Sequence, residues 1–165
     1  MPEKATRARA RRDKRQGKAP STQAGEFVRE EMHHVREGKH GARSTKQAIA
    51  IGLSKARRSG VKLSAPPRSA KRTTRQSAKY ATRASARGAR RPSTRRSRAV
   101  RRALKRECHR AASRKALARQ ARSASRRRSR RARSASAARA ARTKGPRVRR
   151  AAARKAARTR RRASS

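Results

Sequence analysis

The sequence predicts a chain that is mostly disordered, with one small all-α helical hairpin near its N-terminus. The 165 residues carry 56 Lys and Arg against seven Asp and Glu, and self-repulsion at a formal net charge of +49 opposes compaction. Leu, Ile, Val and Phe make up well under a fifth of the chain, and its aromatic residues are limited to Phe27 and Tyr80. Most of the chain therefore lacks the apolar surface that offsets the entropy of ordering it. Apolar residues recur with a helical period mainly in residues 21–63.

Residues 1–20 are predicted to form a basic arm. Arg and Lys recur throughout this segment, and Gly17 and Pro20 close it. We expect the arm to be helical on a polyanion and loose otherwise.

The first helix of the hairpin is predicted at about residues 22–37. Ser21 or Thr22 is a suitable N-cap, and Gly38 is a suitable terminator just past the C-terminal end. Between them, apolar residues recur with a period close to 3.6, as expected of an amphipathic helix. These residues are Ala24, Phe27, Val28, Met32 and Val35.

The second helix is predicted at about residues 45–59, after a short linker. Ser44 and Gln47 have the spacing of a capping box, and Gly60 is placed to stop the helix. One face of this helix carries a stripe of small and apolar residues, namely Ala48, Ile49, Gly52, Leu53 and Ala56.

Residues 21–63 together form a predicted αα-hairpin. Its expected core consists of Phe27, Val28, Met32, Val35, Ile49, Leu53, Val61 and Leu63. A segment of this length with one aromatic residue is near the size below which domains need disulfides, a metal or a partner. We therefore expect the hairpin to associate with itself or with a protein partner.

Residues 64–165 are predicted to be a low-complexity basic tail. Ala, Arg and Ser dominate this segment, which contains 39 Lys and Arg and a single acidic residue, Glu107. Gly88, Pro92 and the Gly145-Pro146 pair interrupt it. We expect the tail to be disordered when free and partly helical once it is bound to nucleic acid, because phosphates would neutralise its like charges.

The charge of the tail predicts a nucleic-acid ligand. Lys and Arg that neutralise phosphates release condensed counterions, which makes binding favourable, and phosphate contacts carry no sequence information. The predicted function is therefore that of a histone-like, nucleoid-associated protein that binds DNA without sequence preference. The candidate phosphate contacts are Arg95, Arg96, Arg98, Arg101, Arg102, Arg126, Arg127, Arg128, Arg130, Arg131, Arg133, Arg158, Arg160, Arg161 and Arg162.

Two other functions remain open from the sequence. Arg-rich segments also suit RNA, so the ligand is alternatively RNA or a ribosome. In the second alternative, the acidic-faced helix between Glu26 and Glu37 docks a protein and the tail only tethers this adaptor.

No enzymatic site is predicted. The sequence lacks a phosphate-binding Gly loop and a nucleophile elbow, and its predicted core is too small to build a pocket. His33, His34 and His40 lie near Glu30, Glu31 and Glu37, but their order does not match the helix of zinc proteases. Local charge pairs on a solvated face are the simpler interpretation, so we expect no metal and no cofactor. Cys108-His109 is half a zinc site at best and is interpreted as incidental.

A cytoplasmic location on the nucleoid is the expectation. The longest apolar run, residues 48–53, is too short to span a bilayer, so no membrane partner is expected. The N-terminus is rich in Arg and lacks the apolar stretch of a secretory signal. The single cysteine, Cys108, gives no sign of an oxidising compartment.

Residues 20–63 contain two distinctive runs, STQAGEFVREEMHH and STKQAIAIGLSKAR. The block that contains them resembles a family of small basic proteins of unknown function that is common in proteobacteria. The resemblance covers about a quarter of the chain and implies a basic tail after the block, but no catalytic residue. The tail itself is similar in character to linker-histone-like tails and protamines, and this likeness is one of composition.

Overall fold

The computed structural model describes residues 2–87 and 93–164, and most of these residues are helical. The prediction of a mostly disordered chain is therefore wrong. The described residues form seven α-helices and one short 3₁₀ helix, and they contain no strand. In chain order the elements are α1 (Lys4–Arg15), α2 (Pro20–Arg36), α3 (Thr45–Arg58), α4 (Arg72–Ala86), α5 (Thr94–Arg106), the 3₁₀ turn (His109–Ala112), α6 (Arg114–Arg126) and α7 (Arg130–Ser164). The chain divides into two compact units, Met1–Gln120 and Ala121–Ser165.

Alanine explains how a chain with so few large apolar residues folds. Ala and Arg, the residues that dominate the tail, are both strong helix formers. Ala24, Ala48, Ala56 and Ala112 are completely buried. An Ala side chain loses no rotamer entropy on burial, and its small size lets neighbouring backbones approach closely. A prediction based on the number of large apolar residues therefore underestimated the ordered part of the chain.

Helices α2 and α3 begin and end close to the predicted positions. Pro20 occupies the first turn of α2 and Ala19 is the N-cap, without a side-chain cap from Ser21 or Thr22. The side chain of Ser44 accepts a hydrogen bond from the Gln47 amide at the start of α3. Gly38 and Gly60 end the two helices with φ angles of +74° and +85°, a conformation that favours glycine.

The backbones of α2 and α3 come into direct contact at Gly52. A Cβ atom added at this glycine would lie 2.7 Å from the Cα atom of Val28. No side chain larger than hydrogen fits there unless the helices move apart. Gly52 therefore sets the separation of the two helices.

Two apolar clusters stabilise the hairpin, one around Phe27 and one around Val35. All the residues predicted for the core lie in these clusters or pack against them. The clusters also contain residues from outside the hairpin, namely Ala10, Ala111, Ala112 and Leu117. Other segments of the same chain thus contribute apolar surface that the hairpin was expected to obtain from a second copy or a partner.

The basic arm is helix α1, which packs against α2. The expectation that residues 1–20 are loose without a polyanion therefore does not match the structure. Thr6, Ala10 and Asp13 are buried on one side of α1. The Arg9 Nε atom lies 2.6 Å from Glu26 Oε2 of α2, so part of the basic charge of the arm is used inside the fold.

Part of the predicted tail folds onto the hairpin. Helix α4 packs against α3 and buries Ala78 and Ala81. The α2–α3 loop binds the last turn of α5 and the segment after it. The Gly41 amide donates to the Leu104 carbonyl at 2.8 Å, and the Ala42 amide donates to the Cys108 carbonyl at 3.1 Å. The expectation that the tail, residues 64–165, is disordered when free is therefore wrong for α4 and for residues 104–112.

The 3₁₀ turn is held by side chains of the hairpin. The Thr45 hydroxyl donates to the Ala111 carbonyl at 2.7 Å, and the Arg36 Nε–H donates to the Ala112 carbonyl at 2.8 Å. The Cys108 thiol, exposed and unpaired with another cysteine, accepts a hydrogen bond from the Arg110 amide and caps this turn.

Helix α7 contains a kink at Gly145, where φ is +65°. The Gly145-Pro146 pair thus interrupts the helix, since Pro146 cannot donate the backbone hydrogen bond of a continuous helix. The interruptions predicted at Gly88 and Pro92 lie outside the described residues. None of the helices in residues 2–87 and 93–164 combines the length and apolar character needed to cross a membrane.

Candidate nucleic-acid interface and the Glu31 cluster

The fifteen arginines predicted to contact phosphates are all exposed. Five of them, between Arg95 and Arg102, lie on α5 in the first unit. The other ten, between Arg126 and Arg162, belong to the second unit, at the end of α6, in the α6–α7 connection and at both ends of α7. The predicted set is therefore divided between the two units.

Helix α7 also presents a row of five cations, of which the sequence prediction named only Arg158. We call it the α7 row, and it consists of Arg147, Arg150, Arg154, Lys155 and Arg158. These side chains, together with Ala151, line an open surface groove of about 610 Å³. Residues three or four positions apart in a helix share a face. The row could have been found from the sequence, because its cations follow Pro146 at intervals of three or four residues. The prediction instead chose the segments with the highest density of arginine.

The geometry of the α7 row suits a charged polymer. The twelve residues from Arg147 to Arg158 span about 16 Å of helix, over which a DNA duplex presents about ten phosphates. Arg130–Ser164 as a whole contains fifteen Lys and Arg and no Asp or Glu. No carboxylate within α7 therefore competes with phosphate for these cations.

A second group of polar residues lies between α2 and α3, around Glu31. The Glu31 side chain is completely buried, and none of its oxygens makes a hydrogen bond of good geometry. The Lys55 Nζ atom of α3 lies 2.6 Å from Glu31 Oε2 and 3.5 Å from Glu30 Oε1. The His40 Nε2 atom from the α2–α3 loop lies 3.2 Å from Glu31 Oε1.

His34, one turn after Glu31 on α2, completes this group. Ligand atoms of Glu31, His34 and His40 all lie within 4.8 Å of one another, and we call these three residues the Glu31 cluster. The His34 and His40 rings stand edge to face, with their centroids 6.2 Å apart. Of the six His and Glu residues that the sequence placed near one another, His33, Glu30 and Glu37 do not belong to the cluster.

Each histidine of the cluster is oriented by a second contact. His34 Nε2 lies 2.9 Å from Glu3 Oε1, and this hydrogen bond is the largest cause of a lowered pKa of the Glu3 carboxyl. His40 Nδ1 lies 3.0 Å from the Gly41 carbonyl oxygen. Because a carbonyl oxygen can only accept, His40 Nδ1 carries a proton in this contact.

The acidic face of α2 is largely engaged within the chain. Glu26 pairs with Arg9, and Glu31 is covered by Lys55 and His40. Glu37 binds Lys39 at 3.0 Å, and this hydrogen bond is the main cause of a raised pKa of the Lys39 ammonium. The face that the adaptor alternative requires is therefore already occupied at several positions.

Residues 17–69 match the model of a family of unknown function, DUF6496. The match contains α2, α3 and the Glu31 cluster, whereas α5, α6 and α7 lie outside it. This part of the chain is thus similar to an uncharacterised family, as the resemblance noted from the sequence implied. No curated protein and no solved structure matches the chain.

Proposed function

We propose that this protein binds duplex DNA without sequence preference, as a non-enzymatic protein of the nucleoid that acts through phosphate contacts. The observation that carries the proposal is α7, a 35-residue segment of two helical parts that meet at the Gly145 kink, with fifteen Lys and Arg and no acidic residue. Each phosphate that a cation neutralises releases condensed counterions from the DNA, and this release favours binding at moderate salt.

The shape of α7 supports the same ligand. An α-helix with its side chains is about 10–12 Å wide, close to the roughly 12 Å width of the DNA major groove. Apart from its cations, α7 contains only Ala, Ser, Thr, Gly, Pro and Val. Asn, Gln, Asp and Glu, which recognise adenine or cytosine, are absent from it. Its Arg and Lys can bind phosphate or guanine, so guanine is the base that the cations of α7 can contact.

The first test is the salt dependence of binding by the full chain. If ten phosphates are neutralised at once, log Kobs falls against log salt with a slope of about −9. Duplexes of different base composition should give the same affinity and slope. Binding that does not change between about 50 and 200 mM salt would exclude phosphate contact as the mechanism.

The second test locates the contact on α7. A full-length variant with the five cations of the α7 row changed to Gln should lose about 4 to 5 units of salt slope. Helicity should persist, because Gln is a good helix former and repulsion between like charges is removed. The matched control changes five exposed cations of α1 to Gln: Lys4, Arg11, Arg12, Lys14 and Arg15.

If the α7-row variant and the α1 variant lose the same amount of salt slope, α7 has no special part in DNA binding. Competition between DNA and RNA duplexes of equal length separates the two nucleic acids. Preferential displacement by RNA would overturn the DNA proposal and identify RNA as the ligand.

A further inference from the structure

We propose that Glu31, His34 and His40 bind one Zn²⁺ ion, which fastens the α2–α3 loop to α2. This site is separate from the proposed DNA interface and does not depend on it. Two imidazoles and one carboxylate form a set of protein ligands that zinc accepts, with a fourth position left for water. The set comes from two places in the chain, since Glu31 and His34 lie on α2 and His40 lies in the following loop.

The burial of Glu31 is the first observation that points to a cation. Its side chain is completely buried, yet both of its oxygens lack a hydrogen bond of good geometry. A buried carboxylate is costly unless a charge and hydrogen bonds compensate it. Lys55 lies beside Oε2, so Oε1 is the oxygen that faces His40 and remains for a metal.

The orientation of His40 is the second observation. Its Nδ1–H points to the Gly41 carbonyl, so a neutral ring presents the lone pair of Nε2 to Glu31 Oε1, 3.2 Å away. Two lone pairs facing each other repel unless a cation or a proton lies between them. Histidines that bind metals typically donate their other N–H to a carbonyl or carboxylate, as His40 does to Gly41.

Glu3 gives His34 a similar support. A carboxylate that binds a metal-ligating imidazole fixes the ring and increases its basicity. Glu3 Oε1 lies 2.9 Å from His34 Nε2 and is in this position. An open cleft of about 330 Å³ adjoins His34, and its wall contains both carboxylates, among them Glu3, and cations, among them Lys39.

The distances permit closure around zinc. Zinc bonds of about 2.0–2.2 Å place ligand atoms about 3.4 Å apart in a tetrahedral site. From a separation of up to 4.8 Å, each atom needs to move inward by less than about 1 Å to reach such bonds.

The test is a titration of Zn²⁺ into the metal-free full chain, purified free of nucleic acid and followed by calorimetry. Every protein carries Cys108→Ser, so that the exposed thiol contributes nothing. We expect one ion per chain and more than about tenfold weaker binding in His40→Ala, since even a change to a supporting residue costs ten- to a hundredfold. The matched control is His33→Ala, which removes an exposed histidine of α2. This variant should bind zinc as tightly as the parent.

A second measurement avoids the question of whether a variant folds. Diethyl pyrocarbonate modifies accessible histidines of the parent chain, and mass spectrometry locates the modified residues. Zinc should protect His34 and His40 but leave His33 and His109 reactive. Absence of saturable one-to-one binding, an equal effect of the two alanine substitutions, or failure of this protection would overturn the proposal and leave a buried polar cluster of Glu31, Lys55 and His40.

Discussion

Lys55 is the cation on which the burial of two carboxylates depends. Its ammonium lies between Glu30 and Glu31, both of which are almost completely removed from solvent. The Lys55 side chain is 21% exposed, so its interaction with them is only weakly screened by water. A buried ion pair stabilises a fold little more than well-packed apolar side chains in the same place would. Removal of one partner, however, leaves an uncompensated buried charge and is strongly destabilising.

We therefore expect Lys55→Met to lower the free energy of unfolding by about 3 kcal/mol, mainly because Glu31 is left without its cation. Urea denaturation followed by far-UV circular dichroism, with EDTA present, measures the change. The double variant Lys55→Met/Glu31→Gln should recover part of the loss, since the buried charge of Glu31 is gone. Strictly additive losses in the double variant would show that the two side chains are not coupled.

The α2–α3 pair illustrates how contact between elements depends on the absence of a side chain. Gly52 lies against the Val28 backbone, whereas a Cβ atom added at Gly25 of α2 would meet nothing within 4 Å. Both glycines are inside helices, where replacement by Ala improves helix propensity by about 0.5–1 kcal/mol. Only at Gly52 does the methyl group meet a neighbouring backbone.

The two Gly→Ala substitutions should therefore have opposite effects. Gly25→Ala should stabilise the protein by about 0.5–1 kcal/mol. Gly52→Ala should destabilise it, because forcing two helices apart costs about 1–3 kcal/mol and outweighs the gain in propensity. Urea midpoints of the two full-length variants test this pair, and a stabilising Gly52→Ala would contradict the close approach of α2 and α3.

The α2–α3 loop is attached to residues 104–112 of the same unit, far along the chain. Two backbone hydrogen bonds from Gly41 and Ala42 and the side chains of Arg36 and Thr45 hold this segment. A Cβ atom added at Gly41 would overlap the Glu107 carbonyl, so only glycine permits the contact. One position in the loop thus governs whether part of the basic chain is attached to the hairpin.

Gly41→Ala should release residues 104–112 from the hairpin while α2 and α3 persist. Hydrogen exchange should then show faster exchange of the Ala42 amide and little change in the amides within α3. Gly25→Ala serves as the control, since it adds the same methyl group in open space. An Ala42 amide that stays as protected as in the parent would contradict this attachment.

Local sequence rules were sufficient for α2 and α3. Their boundaries differ from the expected ones by at most two residues, and Ser44, Gly38 and Gly60 act as the chemistry of helix ends predicts. The same rules were not sufficient for α1, for α4 and for residues 104–112. Most of the residues that these segments bury are Ala, and composition alone does not show whether an Ala is buried or exposed.

The candidate sites follow the same division. Charge density alone indicated a polyanion ligand, because charge is a property of composition, although the α7 row required attention to helical spacing. The pairing of Glu31 and His34 was readable as a spacing of three on one helix. The contribution of His40 and the burial of Glu31 beside Lys55 required the chain to reverse at Gly38 and bring α3 against α2. These residues are not neighbours in the sequence. They come close together, and Glu31 is removed from water, only when the helices pack against each other.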